Sequence, residues 1–128
     1  MSPSEGFGAY TDYGRLKSAI VGSAEGLSLP PFNPTLHHYN EEVQAALKAN
    51  GDKPLDISTA MPARWEKTVE QLDSLAALYE ANGIRVYRPR PYTEEERHYL
   101  AEAQPGASLL YPADPVYTVG KHYLEVNI

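Results

Sequence analysis

The feature that most constrains the fold is a long amphipathic segment that runs almost directly into an alternating one. Residues 63–82 carry apolar side chains at helical spacing, on one face made of Trp65, Val69, Leu72, Leu75, Ala76 and Tyr79. Gly83 follows, and glycine readily takes the left-handed conformation that ends many helices. Residues 84–88 then alternate as a strand does. A helix that returns the chain to a strand through so short a turn predicts helices packed on a sheet.

Capping signals predict two shorter helices. Asn40 precedes two glutamates, so its side chain can accept a free amide at the start of a helix that runs to about Ala49. Thr93 and Glu96 have capping-box spacing at the start of a helix over residues 94–103. Both helices therefore begin at side chains that satisfy free backbone N–H groups.

Strand patterns occur near both ends of the chain. Residues 16–22 contain a short apolar run that is typical of a covered strand. Segments 116–119 and 122–126 flank Gly120-Lys121, which predicts a tight hairpin with glycine first in the turn. The predicted fold class is α/β, a small mixed sheet with helices packed on one face. We expect one domain over residues 1–128, with residues 1–12 forming a flexible arm.

Composition limits the partners and the location. The 128 residues have a net charge of −6 and scattered basic side chains, so nucleic acid is not expected as a partner. Apolar runs are only a few residues long, so we expect no association with a membrane. Met1 is followed by Ser-Pro-Ser-Glu-Gly and not by a basic and apolar leader, which predicts a cytoplasmic protein. The sequence contains no cysteine, so it offers no thiolate nucleophile.

Two clusters of polar side chains are candidate sites. His37 and His38 are adjacent, so they point apart on a helix or strand, and a loop pair is favoured over a metal site. Arg85, Arg88 and Arg90 are more simply explained as solvent-facing charge than as an anion site. We therefore expect no metal and no other cofactor.

Three blocks of the sequence resemble the N-terminal part of the amidinotransferase family, which includes the glycine and inosamine-phosphate amidinotransferases. They are residues 13–24, with a strand ending in Val-Gly-Ser; residues 68–89, with the glycine-capped helix and its strand; and residues 112–125, Pro-Ala-Asp-Pro-Val-Tyr-Thr-Val-Gly-Lys-His-Tyr-Leu-Glu. In this order and spacing they run through nearly the whole chain. The resemblance implies the pentein fold, in which five ββαβ-type modules surround a channel, and it makes this chain equivalent to the first module.

The resemblance also implies a binding residue. Asp114 stands at the position of the family's aspartate that binds the substrate guanidinium, and a carboxylate can accept paired N–H bonds from that planar cation. The alternative is that Asp114 is a turn residue between Pro112 and Pro115. Glu125 matches a family glutamate in position only, and a solvent-facing strand glutamate is the simpler interpretation. Ala113 departs from the family, which usually has arginine there.

The resemblance implies a related function without catalysis by this chain alone. In complete amidinotransferases an amidino group moves from arginine to an amine through a covalent amidino-cysteine, and the catalytic Asp, His and Cys belong to later modules. We therefore expect an amidinotransferase-related protein that binds a guanidino compound such as arginine. The alternative is a non-catalytic module that forms homo-oligomers or binds another chain, because a single module leaves sheet edges and apolar surface uncovered.

Overall fold

The computed structural model describes residues 10–11, 13–36, 38–103, 108–112 and 116–125. In chain order its elements are β1 (Ser18–Ile20), β2 (Ser28–Leu29), a 3₁₀ turn (Pro34–Leu36), α1 (Glu41–Asn50), β3 (Leu55–Asp56), α2 (Ile57–Ala60), α3 (Pro62–Ala81), β4 (Arg85–Tyr87), α4 (Glu94–Ala103), β5 (Val116–Val119) and β6 (His122–Glu125). The predicted α/β class is confirmed. None of the helices in these ranges is long and apolar enough to cross a bilayer.

The strands pair in three separate two-stranded ladders within the described ranges. β1 and β4 run parallel, with Ala19 across from Val86. β2 pairs with β3 and β5 with β6, both antiparallel. The pairing is mixed as predicted, but the single sheet that we expected is divided. Strands of only two to four residues form few ladder bonds, so each pair depends on its own surroundings.

The capped helix starts are where the sequence predicted them. Asn40 Oδ1 accepts a hydrogen bond from the Val43 amide at 3.0 Å at the start of α1. At the start of α4 the Thr93 amide donates to Glu96 Oε2 at 2.8 Å, and the Glu96 amide donates back to Thr93 Oγ1 at 3.2 Å. Both capping predictions are confirmed, down to the atoms involved.

The long helix α3 matches its prediction within one residue at each end. It begins at Pro62, which suits the first helical turn because proline has no amide proton to leave unpaired. It is followed by Gly83 in the left-handed region, with φ +74°, and the Gly83 amide donates to the Glu80 carbonyl at 3.0 Å. The predicted apolar face is largely half-buried, and α3 packs against β4.

The hydrophobic core lies between α1, β3, α2 and the start of α3. Its buried members are Val43, Leu47, Leu55, Ile57 and Met61. The Trp65 side chain packs against this cluster and donates from Nε1 to the Ala24 carbonyl at 3.0 Å. That bond ties the loop after β1 to the first turns of α3, so the core also supports the end of the parallel ladder.

Candidate functional site

The carboxyl edge of the parallel ladder is the place where a site is expected. β1 and β4 end together, since Ile20 lies across from Tyr87. In open α/β sheets, ligands bind in the crevice outside the carboxyl ends of the strands. The loops over residues 21–27 and 88–93 leave the ladder at this edge. They therefore form two sides of the candidate site.

A third segment, residues 108–112, is attached to the same edge. The Ser23 amide donates to the Leu109 carbonyl at 3.0 Å. Gly22 is buried, and a methyl group on its Cα would lie 2.0 Å from the Leu110 carbonyl oxygen. No side chain fits in that space, so the glycine allows the two backbones to meet. This contact gives the Val-Gly ending of the first strand a physical role.

Tyr92, in the loop after β4, lies beside Gly26 in the loop after β1. A methyl group on Gly26 would lie 3.9 Å from Tyr92 Cδ2, so the ring packs beside the loop that follows β1. Burial raises the pKa of the Tyr92 hydroxyl, and the negative charge of Glu96 adds to this shift. The phenol therefore stays protonated at neutral pH and keeps its capacity to donate a hydrogen bond.

The arginines that follow β4 are exposed and paired with carboxylates. Arg88 Nη1 lies 2.9 Å from Asp73 Oδ1. Arg90 forms a two-pronged contact with Glu96, at 2.8 Å from Nη1 to Oε2 and 2.6 Å from Nη2 to Oε1. The hydrogen bond from Arg90, followed by that from the Thr93 amide, lowers the pKa of Glu96 to about 2. These arginines are solvent-facing as expected, and their charge is compensated.

Asp114, the residue predicted to bind, lies beyond what the structure describes, as do two of the other residues considered above. Asp114, Ala113 and His37 are outside the described residues. His38 lies beside the Tyr39 ring, with the two centroids 4.5 Å apart. Glu125 is the last residue of β6 and pairs with Val116. In the described part of the chain, no group of three or more His, Asp or Glu side chains could hold a metal ion.

Sequence reasoning missed the contact between the loop after β1 and residues 108–112. In the sequence Gly22 stands out only through its resemblance to a family strand ending, and nothing local indicates that the Leu110 backbone lies against it. The available signal was the glycine itself, since a glycine directly after a strand often marks close approach of another backbone.

The structure defines an α/β chain in which three segments meet at the carboxyl edge of a parallel ladder. No protein-family model matches this chain. Among curated proteins, it is 28% identical over 123 residues to the L-arginine:L-lysine amidinotransferase of Pseudomonas savastanoi pv. phaseolicola. The alignment covers 91% of this chain and 32% of that protein, so the chain spans about a third of the relative's length. The similarity supports a distant amidinotransferase-like relationship.

Proposed function

We propose that this chain is an amidinotransferase-related module, equivalent to the first module of the pentein fold, and that Asp114 binds the guanidinium group of a small molecule such as arginine. The similarity to an L-arginine:L-lysine amidinotransferase over 91% of the chain supports this proposal. The chemistry agrees, because a carboxylate accepts two parallel N–H bonds from a planar guanidinium.

The observation that carries the proposal is the backbone contact of Leu109 and Leu110 with Gly22 and Ser23. It attaches the segment before Asp114 to the carboxyl edge of the ladder. α/β folds bind ligands outside the carboxyl ends of their strands, so a ligand at this edge agrees with the proposal.

The charges around this edge favour a cationic ligand. Arg88 and Arg90 are the basic side chains that follow β4, and each is paired with a carboxylate, Asp73 and Glu96. The chain as a whole carries a net charge of −6. An approaching guanidinium therefore meets little uncompensated positive charge from these two arginines.

We propose binding without catalysis for this chain alone. Amidino transfer in the related family passes through a cysteine thiolate, and this sequence has no cysteine. No other side chain combines sulfur's nucleophilicity with an accessible deprotonated form at neutral pH. Binding and orientation of a guanidinium group need only the carboxylate and its surroundings.

Calorimetric titration with arginine tests this proposal. The unmodified chain should give a saturable heat, and Asp114→Asn should weaken binding about tenfold or more, because a neutral amide loses the charge-assisted pair. Asp52→Asn, in the exposed turn after α1, is the matched control and should bind as the unmodified chain does. Lysine, which lacks the guanidinium, should give no comparable heat. Equal heats for Asp114→Asn and the unmodified chain would contradict the proposal, and release of ornithine from arginine and hydroxylamine would contradict its non-catalytic part.

A second candidate function is association with another chain, and one surface favours it. Ile20 and Tyr87 lie directly across from each other on the parallel ladder and are 51% and 50% exposed. Their neighbours Ala19 and Val86 are half-buried, and α3 packs against β4. Parallel ladders are usually covered on both faces. The apolar pair on the open face would be covered in a homo-oligomer or by a partner protein.

A further inference from the structure

The Asn-Gly step at the end of α1 combines a reactive sequence with a structural role. The side-chain amide of an asparagine can be attacked by the backbone nitrogen of the next residue, and glycine favours this ring closure because it has no Cβ to hinder the approach. Asn50 is the last residue of α1, and Gly51 is exposed in the turn that follows. A methyl group on Gly51 would meet no described atom within 4 Å, so this glycine is not crowded.

The side chain of Asn50 holds that turn in place. Its Nδ2 donates to the Lys53 carbonyl at 2.8 Å and to the Pro54 carbonyl at 3.0 Å. The next residue, Leu55, is buried in the core cluster. The amide group of Asn50 therefore connects the end of α1 to the segment that enters the core.

Deamidation would remove both of these bonds. The Gly51 nitrogen bonds to Cγ of Asn50, the Cγ–Nδ2 bond breaks, and ammonia leaves. Water then opens the resulting succinimide to aspartate or isoaspartate, so a carboxylate replaces the amide. A carboxylate has no N–H to donate. It would also face two carbonyl oxygens at the C-terminal end of α1, where a negative charge is unfavourable.

A second Asn-Gly step, Asn82-Gly83, follows α3 and gives a comparison within the same chain. Its Gly83 amide donates to the Glu80 carbonyl at 3.0 Å, whereas the Gly51 amide lies 3.4 Å from the Lys48 carbonyl oxygen. The Asn82 side chain is also hydrogen-bonded, to a carbonyl of its own helix. Both side-chain amides are thus held, and the two steps differ in the attacking nitrogen. The longer bond holds the nitrogen of Gly51 less tightly.

We propose that Asn50 is a site of intramolecular deamidation, that it reacts faster than Asn82, and that its conversion releases the turn over residues 51–54 from the end of α1. The reaction needs only water as a co-reactant. The proposal is independent of guanidinium binding and of association with another chain.

Peptide mapping by mass spectrometry tests the reaction in the full chain, held folded at mildly alkaline pH. Asn50 should be converted about threefold faster than Asn82 or more, because a weaker hydrogen bond holds its attacking nitrogen. Asn33 is the internal control, since the nitrogen of Pro34 carries no proton and cannot close the ring. Conversion of Asn82 at an equal or higher rate overturns the assignment. Conversion of Asn50 only in urea-unfolded chain also overturns it.

Urea denaturation tests the consequence. Asn50→Asp should lower the urea midpoint by about 0.5 M or more, because two hydrogen bonds are lost. Asn33→Asp is the matched control, since it adds the same charge and keeps the oxygen that accepts the Thr35 amide. The converted form of the unmodified chain, separated by ion exchange, is measured beside them, so the test does not depend on the variant folding. A converted chain with the midpoint of the unconverted one overturns the release of the turn.

Discussion

The part of the chain from α1 to the start of α3 buries apolar side chains in a core, whereas the part that follows, called the open part below, leaves many of them exposed. The whole buried cluster lies between Val43 and Met61. After Met61, no residue whose burial the structure describes is fully buried. Large apolar side chains there remain exposed, including Leu78, Tyr87 and Leu124. The two parts thus differ in how much of their apolar surface is buried.

The difference distinguishes a part whose apolar side chains are covered within this chain from a part whose apolar side chains are left for another chain to cover. α1, β3 and α2 are close in sequence and meet around Leu47, and Leu27, Leu29 and Phe32 from the segment before α1 pack on the same cluster. In the later part α4 begins at a capping box, but Tyr87 of the parallel ladder and Tyr123 and Leu124 of the hairpin are exposed. That contrast favours the association proposed above, because exposed apolar patches mark interaction sites.

The largest expected effect comes from removing the same side chain in each part. Leu47→Ala deletes a fully buried side chain, which should lower the free energy of unfolding by about 2–5 kcal/mol. Leu78→Ala, at a site 59% exposed on α3, should change the free energy by about 0.5 kcal/mol or less. Urea denaturation of both variants measures the difference. Similar losses at the two positions would show that the later part is as well packed as the first.

A smaller effect is expected at Gly22, where the loop after β1 meets residues 108–112. A methyl group there would lie 2.0 Å from the Leu110 carbonyl oxygen and 2.8 Å from that of Leu109. Gly22→Ala should therefore cost about 1–3 kcal/mol of stability and displace residues 108–112 from the ladder. Gly14→Ala is the matched control, because its methyl would meet only the movable Thr11 Oγ1, at 3.0 Å. Unchanged stability and unchanged arginine binding in Gly22→Ala would remove the observation on which the guanidinium proposal depends.

The elements that the sequence predicted well are those with local signals. Asn40 and Thr93 begin helices because their side chains reach amides only three residues away, so the pattern and the bond lie in one short window. Gly83 likewise ends α3 through its own backbone conformation. Such features need no knowledge of the tertiary structure.

The core was predicted less well, for a physical reason. Leu55, Ile57 and Met61 form most of the buried cluster, yet residues 52–62 carry no pattern that predicts a helix or a strand. β3 has two residues and α2 only four. Segments this short do not show the apolar repeat of a strand or of a helix in the sequence. The signal that was available is Asp56, whose Oδ1 accepts the Thr59 amide at 3.0 Å and caps α2.

The candidate site could be predicted only through the family resemblance. Asp114 carries no local pattern that distinguishes a ligand from a turn residue. The contact that brings its segment to the ladder joins Gly22 to Leu110, which are far apart in sequence. The sequence explains Arg90 only as solvent-facing charge in a cluster with Arg85 and Arg88, whereas Arg90 also contacts Glu96 in the first turn of α4. Pairings of this kind depend on the folded arrangement.

The smallest expected effect concerns the ion pair between Arg90 and Glu96 at the start of α4, in the open part. Glu96 and Arg90 are exposed, so their ion pair and not burial stabilises this helix start. The pair lowers the pKa of Glu96 from 4.5 to about 2. A carboxylate with a lowered pKa stabilises the fold fully above its unfolded value, and that contribution is lost as pH falls from about 4.5 towards about 2. The urea midpoint of Glu96→Gln should therefore fall below that of the unmodified chain at neutral pH and converge with it across this range.

High salt should narrow the difference between the two urea midpoints, because exposed ion pairs are screened. Glu80→Gln, on α3, removes an equal charge without the arginine and should show no such convergence. A gap between Glu96→Gln and the unmodified chain that stays constant down to the lowest pH would mean that the amide disturbs the cap at Thr93 and that the charge of Glu96 contributes nothing.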